Sequence, residues 1–160
     1  MLKFIFLFAS RLPLRLLHAV GGLLGLATYR WSRSYRQCFD ANLAQAGYAD
    51  QRTRKTAVLE AGKAITELPA IWLRPHEQVG RLVVETLGWE WITRAHANGR
   101  PILFLTPHLG CFEITAQTYA LRAPPDRPIT ILYRRPRKAA LTPLIESGRG
   151  RTNMKLAAAD

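Results

Sequence analysis

Three things are in short supply in this 160-residue chain: acidic side chains, cysteines, and apolar runs without interruption. Eleven Asp+Glu face 23 Lys+Arg, which leaves a net charge of +12. That surplus calls for an anionic partner: nucleic acid, an anionic membrane surface, or a phosphorylated or acidic ligand. The two cysteines, Cys38 and Cys111, lie far apart in the chain. They supply neither a disulfide framework nor the close pair of a zinc site, and a reducing compartment is the simplest inference. The most apolar region, residues 1–29, is broken by Lys3, Arg11, Pro13, Arg15, His18 and several glycines. It falls short of the roughly 20 continuous apolar residues of a clean spanning helix. Ala9-Ser10 followed by Arg11 is also a poor signal-peptide cleavage site.

What is present is a chain with enough apolar content, 48%, to fold around a core. Its charge is unevenly placed. Residues 1–40 carry six basic groups and one acid, Asp40, and residues 101–160 carry nine basic groups and four acids. Residues 1–29 read as an uncleaved anchor, lying in the membrane interface or crossing it with its arginines snorkelled. Arg30, Arg33 and Arg36, interleaved with Tyr29, Trp31 and Tyr35, suit the headgroup zone of an anionic cytoplasmic leaflet. The alternative is a buried soluble helix with a solvated basic end.

Cys38 to Leu73 reads as helical, with Asp50 capping a helix whose apolar face runs through Val58, Leu59, Ile65, Leu68 and Ile71. Glu67 lies in it as a charge, and Trp72 reads as a core aromatic. Arg74-Pro75 ends it. Val79–Thr86 is a short apolar piece with strand character. Gly88, Trp89 and Trp91 open a brief helix, and Asn98-Gly99 turns the chain.

The stretch Pro101–Glu113, PILFLTPHLGCFE, carries the chemistry. Ile102–Leu105 has the length and composition of a strand buried on both faces. Thr106-Pro107 stops it, His108 follows, and Glu113 lies five residues on. A histidine beside a carboxylate is a recurring general base, because the carboxylate orients the ring and stabilises its charged form. The plainer alternative is a loop histidine and a first-turn glutamate. Cys111 reads as a small apolar residue at the helix start, with a nucleophilic role as its alternative. The His108–Glu113 spacing does not match the HExxH pattern, and no third metal ligand is evident.

Beyond Glu113 a helix is expected through Ile114, Ala116, Tyr119 and Leu121, closed by Pro124-Pro125-Asp126. Ile129–Tyr133 follows as a strand, Ala139–Glu146 as a helix, and Met154–Ala157 as the start of a third strand. Alternating strands and helices imply a parallel sheet, in which ligands bind beyond the carboxyl ends of the strands. His108 after one strand and Arg134 and Arg135 after the next should then face one crevice. Paired guanidinium groups beside a base suit a hydroxyl nucleophile on a phosphorylated substrate. No nucleic-acid-binding motif is found.

HLGCFE resembles the signature of the glycerolipid and lysophospholipid acyltransferase superfamily: His, four residues, then an acid. The apolar basic N-terminus, Asn42-Leu43, Glu67-Leu68, YRRP at 133–136 and GRGR at 148–151 bring the chain closest to the bacterial lipid A biosynthesis acyltransferases, the lauroyl and myristoyl transferases. That resemblance implies an α/β fold, with N-terminal membrane-associated helices followed by a mainly parallel βαβ-type sheet. Residues 1–36 would be the membrane anchor and 37–160 the N-terminal part of the catalytic domain. It implies His108 as general base, Glu113 as its partner, and Arg149, with Arg151 as a weaker candidate, at an anionic group of the substrate. The donor would be an acyl carrier protein thioester and the acceptor a lipid A precursor, at the cytoplasmic face of the inner membrane, with no metal or nucleotide cofactor. Members continue past the position of Asp160, so the chain reads as C-terminally truncated and its sheet as incomplete. The alternative function is a catalytically inactive membrane-binding fragment of such an enzyme.

Overall fold

The computed structural model describes residues 2–48, 50–136 and 141–159. They form two compact units, Met1–Arg74 and Pro75–Asp160, each with its own core.

The first unit is helical throughout: α1 (Leu2–Arg11), α2 (Leu14–Trp31), α3 (Arg33–Gln45), α4 (Gln51–Thr66) and α5 (Leu68–Leu73). Pro13 lacks a backbone N–H and so starts α2 afresh after α1. Asp50 caps α4 as expected, accepting a 2.8 Å bond from the Thr53 N–H, and that bond holds its carboxyl below the ordinary range. Arg74 caps the far end of α1: its Nε donates to Ser10 O at 2.8 Å and its Nη2 to Leu12 O at 2.5 Å. Phe6 stacks on Trp72, which is the buried aromatic expected from its place in the sequence. Glu67 is buried rather than solvated, and His18 Nε2 lies 3.0 Å from its Oε2.

Glycines set the approach of α2 to α4. A Cβ on Gly25 would lie 2.5 Å from Val58 O, and one on Gly21 would lie 2.7 Å from Gly62 O. A Cβ on Gly62 would overlap the Gly21 carbonyl oxygen and come within 2.9 Å of Gly25 N. Only hydrogen-sized side chains permit this seam. It is sealed by Thr66 Oγ1, which donates to Leu17 O at 2.8 Å. Among the described residues no helix is long and apolar enough to cross a membrane.

The second unit contains α6 (His76–Gly80), α7 (Trp89–Ala97), α8 (Glu113–Arg122), β1 (Ile129–Tyr133), α9 (Thr142–Arg149) and β2 (Met154–Ala158). β1 and β2 pair in parallel, from Ile129↔Met154 to Tyr133↔Ala158, with α9 between them in the chain. The core includes Val79, Tyr119, Tyr133, Leu144 and Met154.

Two expectations need correction. Ile102–Leu105 is not a strand: the sheet of the described residues has two strands, and Leu103 and Leu105 are 83% and 87% exposed. A strand exists only where a neighbour satisfies its ladder, and this run has none beside it. Val79–Thr86 is not a strand either. Pro75 opens a helical turn that carries Val79 into the core, and Val84 is left exposed. The helix expected at Ala139–Glu146 is observed as Thr142–Arg149, with residues 137–140 outside the described ones.

The glycine seam predicts that Gly62→Ala destabilises the protein by roughly 1–3 kcal/mol, because rigid backbone opposes the new methyl. That should hold although alanine is the better helix former by about 1 kcal/mol. Gly22→Ala, whose Cβ meets only the end of Leu59 at 3.1 Å, should be near neutral. Denaturant midpoints followed by circular dichroism compare the two, and equal midpoints would remove the seam from this account.

Candidate active site

The backbone from Thr106 to Phe112 is a tight irregular loop in which His108 and Gly110 have φ values of 55° and 57°. Glycine takes that conformation freely, whereas for histidine it is a strained position, maintained by local bonds. The His108 N–H points to Thr106 Oγ1 at 3.4 Å, and Nδ1 lies 3.2 Å from Thr106 O. A carbonyl oxygen only accepts, so Nδ1 carries the proton and Nε2 is left with the lone pair. The ring rests on Phe112, centroids 4.1 Å apart, and the residue is exposed. A neutral imidazole with its outer nitrogen basic is the form required of a general base.

Glu113 is the first residue of α8, where the helix dipole favours negative charge. It is ion-paired with Arg149, in the last turn of α9. Arg149 Nε donates to Glu113 Oε2 at 3.0 Å, and Nη2 donates to Oε1. The two side chains are 22% and 8% exposed, so this is a largely buried fork-to-fork pair. The orientation expected of Glu113 toward the His108 ring is, in this structure, supplied to the ring by Thr106 O.

The remaining predicted cations separate. Arg134 and Arg135 follow β1 and are exposed. Arg151 is partly buried, and that burial pushes its guanidinium below the ordinary arginine value, against the attraction of Glu77. His76 is within the electrostatic reach of Arg151, and its Nε2 donates to Gln117 O at 3.1 Å. Burial lowers the His76 pKa, and the Arg151 charge lowers it further. Cys111 is half-buried and not disulfide-bonded. Among the described residues no cluster of three or more His, Cys, Asp or Glu side chains is placed to hold a metal ion.

An open groove of about 950 Å³ lies between Ile102–Pro107 and β1. Its wall is mainly apolar, with Trp89, Phe104, Ile114 and Tyr119 prominent. Tyr119 anchors it: the hydroxyl donates to Arg127 O at 3.2 Å and accepts from His96 Nε2 at 3.0 Å. Phe104 packs edge-on against the Tyr119 ring at 5.0 Å. Burial raises the phenol's pKa, opposed by Arg127. Sequence reasoning missed this role. Tyr119 appeared only as an apolar position of a helix, although a tyrosine there carries a hydroxyl that needs a partner.

The family model for bacterial lipid A biosynthesis acyltransferases matches residues 2–160, almost the full chain and the whole of this site. The chain belongs to that family. It is therefore an acyltransferase enzyme with a role in lipid A biosynthesis, using an acyl donor and a lipid A precursor as acceptor. No curated protein and no solved structure matches it.

In this acyltransferase the His76 shift makes a signed prediction. The unfolded chain, with His76 near its ordinary 6.5, binds a proton that the folded chain does not bind until lower pH. Stability should therefore fall as pH drops through about 6.5, and this contribution should level off below the folded value. Melting temperatures between about pH 7.5 and 5.5 test it: His76→Asn should flatten the slope, and an unchanged slope refutes the assignment.

Proposed function

We propose that this enzyme transfers a fatty acyl chain from an acyl carrier protein thioester to a hydroxyl of a lipid A precursor, with His108 as general base and Glu113 as its partner carboxylate. The observation that carries the reading is the His108 ring itself, whose protonated Nδ1 faces Thr106 O and whose Nε2 is the basic nitrogen. Nε2 takes the proton of the acceptor hydroxyl while the oxygen attacks the thioester carbonyl. A tetrahedral intermediate forms, the carbon–sulfur bond breaks, and the imidazolium returns its proton to the departing thiolate. The buried carboxylate five residues away stabilises the imidazolium.

The mainly apolar groove, which Thr106 and Pro107 help to line, suits the acyl chain in size and in wall chemistry. Arg134 and Arg135 are exposed after β1 and can meet the phosphate of the acceptor or the acidic surface of the carrier. Arg149 and Arg151 are engaged within the fold, which leaves them less able to do so.

His108→Ala should lower kcat for acyl transfer by roughly 10²–10⁴-fold, the usual weight of a general base. Undiminished turnover by a folded variant would end the proposal.

The first unit supports a place on the cytoplasmic face of the inner membrane. Phe4, Ile5, Phe8, Leu23 and Leu24 of α1 and α2 are exposed, with Lys3, Arg11 and Arg15 exposed among them. Helices too short or too interrupted to span can lie in the interface, with aromatic side chains inserted and cations at the headgroups. Each inserted Phe contributes about 1.5–3 kcal/mol. Phe4→Asp and Phe8→Asp should each weaken co-sedimentation with phosphatidylglycerol-containing vesicles by about tenfold or more. Equal binding by parent and variants would exclude this surface.

A further inference from the structure

Arg149 occupies a position that the acyltransferase resemblance assigns to an anionic group of the substrate. In the structure its guanidinium has already met an anion. Nε and Nη2 each donate to one oxygen of the Glu113 carboxylate, so the planar fork is matched to both oxygens at once. The two residues come from different elements, 36 positions apart, and both side chains are largely withdrawn from water. The helix that carries Arg149 is itself tied down, since Tyr133 at the end of β1 donates its hydroxyl to Glu146 Oε1 at 3.2 Å. Leu144 and Gly148 of the same helix are buried.

Such a pair is not easily lent to a substrate. Withdrawing the guanidinium would leave a buried carboxylate without its opposite charge, which is far costlier than breaking an exposed pair. The ring of His108 meanwhile donates its Nδ1–H to Thr106 O, so the imidazole does not fix the carboxylate's direction. Arg149 engages both of its oxygens.

We infer that Arg149 is a positioning residue, which holds the Glu113 carboxylate ionised and in one orientation so that it can stabilise the His108 imidazolium, and that it does not bind the phosphate of the substrate. The inference rests on the His108/Glu113 reading above. A fork is required for this role, and a point charge is not enough, so lysine is a poor replacement.

The test is steady-state acyl transfer by the full chain, with KM measured separately for the lipid A precursor and for the acyl carrier protein thioester. Arg149→Gln should lower kcat by roughly 10–100-fold, the scale of a misplaced catalytic group, with both KM values within about twofold of the parent. Arg149→Lys should recover little of the lost kcat. Arg149→Gln combined with Glu113→Gln should be no slower than Glu113→Gln alone, since the arginine acts only through the carboxylate. The double variant replaces the buried ion pair by two neutral amides, and its melting curve shows whether the fold survives. A KM for the acceptor or the donor raised tenfold with kcat intact would overturn the inference and name which substrate carries the phosphate bound. Additive losses in the double variant would overturn it too. If His108→Ala keeps its turnover, the base assignment fails instead, whichever way the Arg149 variants behave.

Discussion

The ion pair between Glu113 and Arg149 is the contact on which the second unit's site depends. It joins the first residue of α8 to the last turn of α9, and so closes a long stretch of chain that includes β1. Neither charge can be given up singly. A buried glutamate without its arginine, or the reverse, carries a desolvation cost of several kcal/mol. The pair is therefore better understood as a constraint than as a contribution to stability. It obliges the helix after His108 and the helix after β1 to keep a single relative placement.

Further bonds hold α8 along its length. His76 reaches the Gln117 carbonyl near its middle. Asn153, at a φ of 63°, aims its amide at Ala120 O, Ala123 O and Pro124 O, where the helix runs out of internal donors. The end of α9 and the turn after it thus supply clamps to both ends of α8, with Arg149 at one and Asn153 at the other. A helix fixed at three places is a firm base for the loop just before it, and that loop is where His108 sits.

Much of this could be read from residue order. Asp50 as a cap, Pro13 and Pro75 as breaks, Trp72 as core, and the β-branched run at 129–133 follow from local chemistry, and local chemistry does not depend on distant neighbours. Ile102–Leu105 shows the limit. Its composition says strand, but a strand is a property of two chains side by side, and no residue within the run reports whether a partner is present. Charge was the other limit. Arg134, Arg149 and Arg151 are one residue type in one basic region, yet one is solvated, one is spent on Glu113, and one is half-buried beside His76 and Glu77. Only three-dimensional placement separates a cation that can greet a ligand from one already used.

The first unit poses a related problem of one helix with two duties. α2 must bring Gly21 and Gly25 close enough to α4 to touch its backbone, and must leave Val20, Leu23 and Leu24 facing outward. In water the outward face is a liability, because contiguous exposed apolar surface favours association. On a bilayer such a face can insert at the headgroup boundary, which is the placement proposed above. In the mechanism proposed above the exposed His108 imidazole draws on the Glu113 carboxylate, and the arginine paired with that carboxylate is itself largely withdrawn from water.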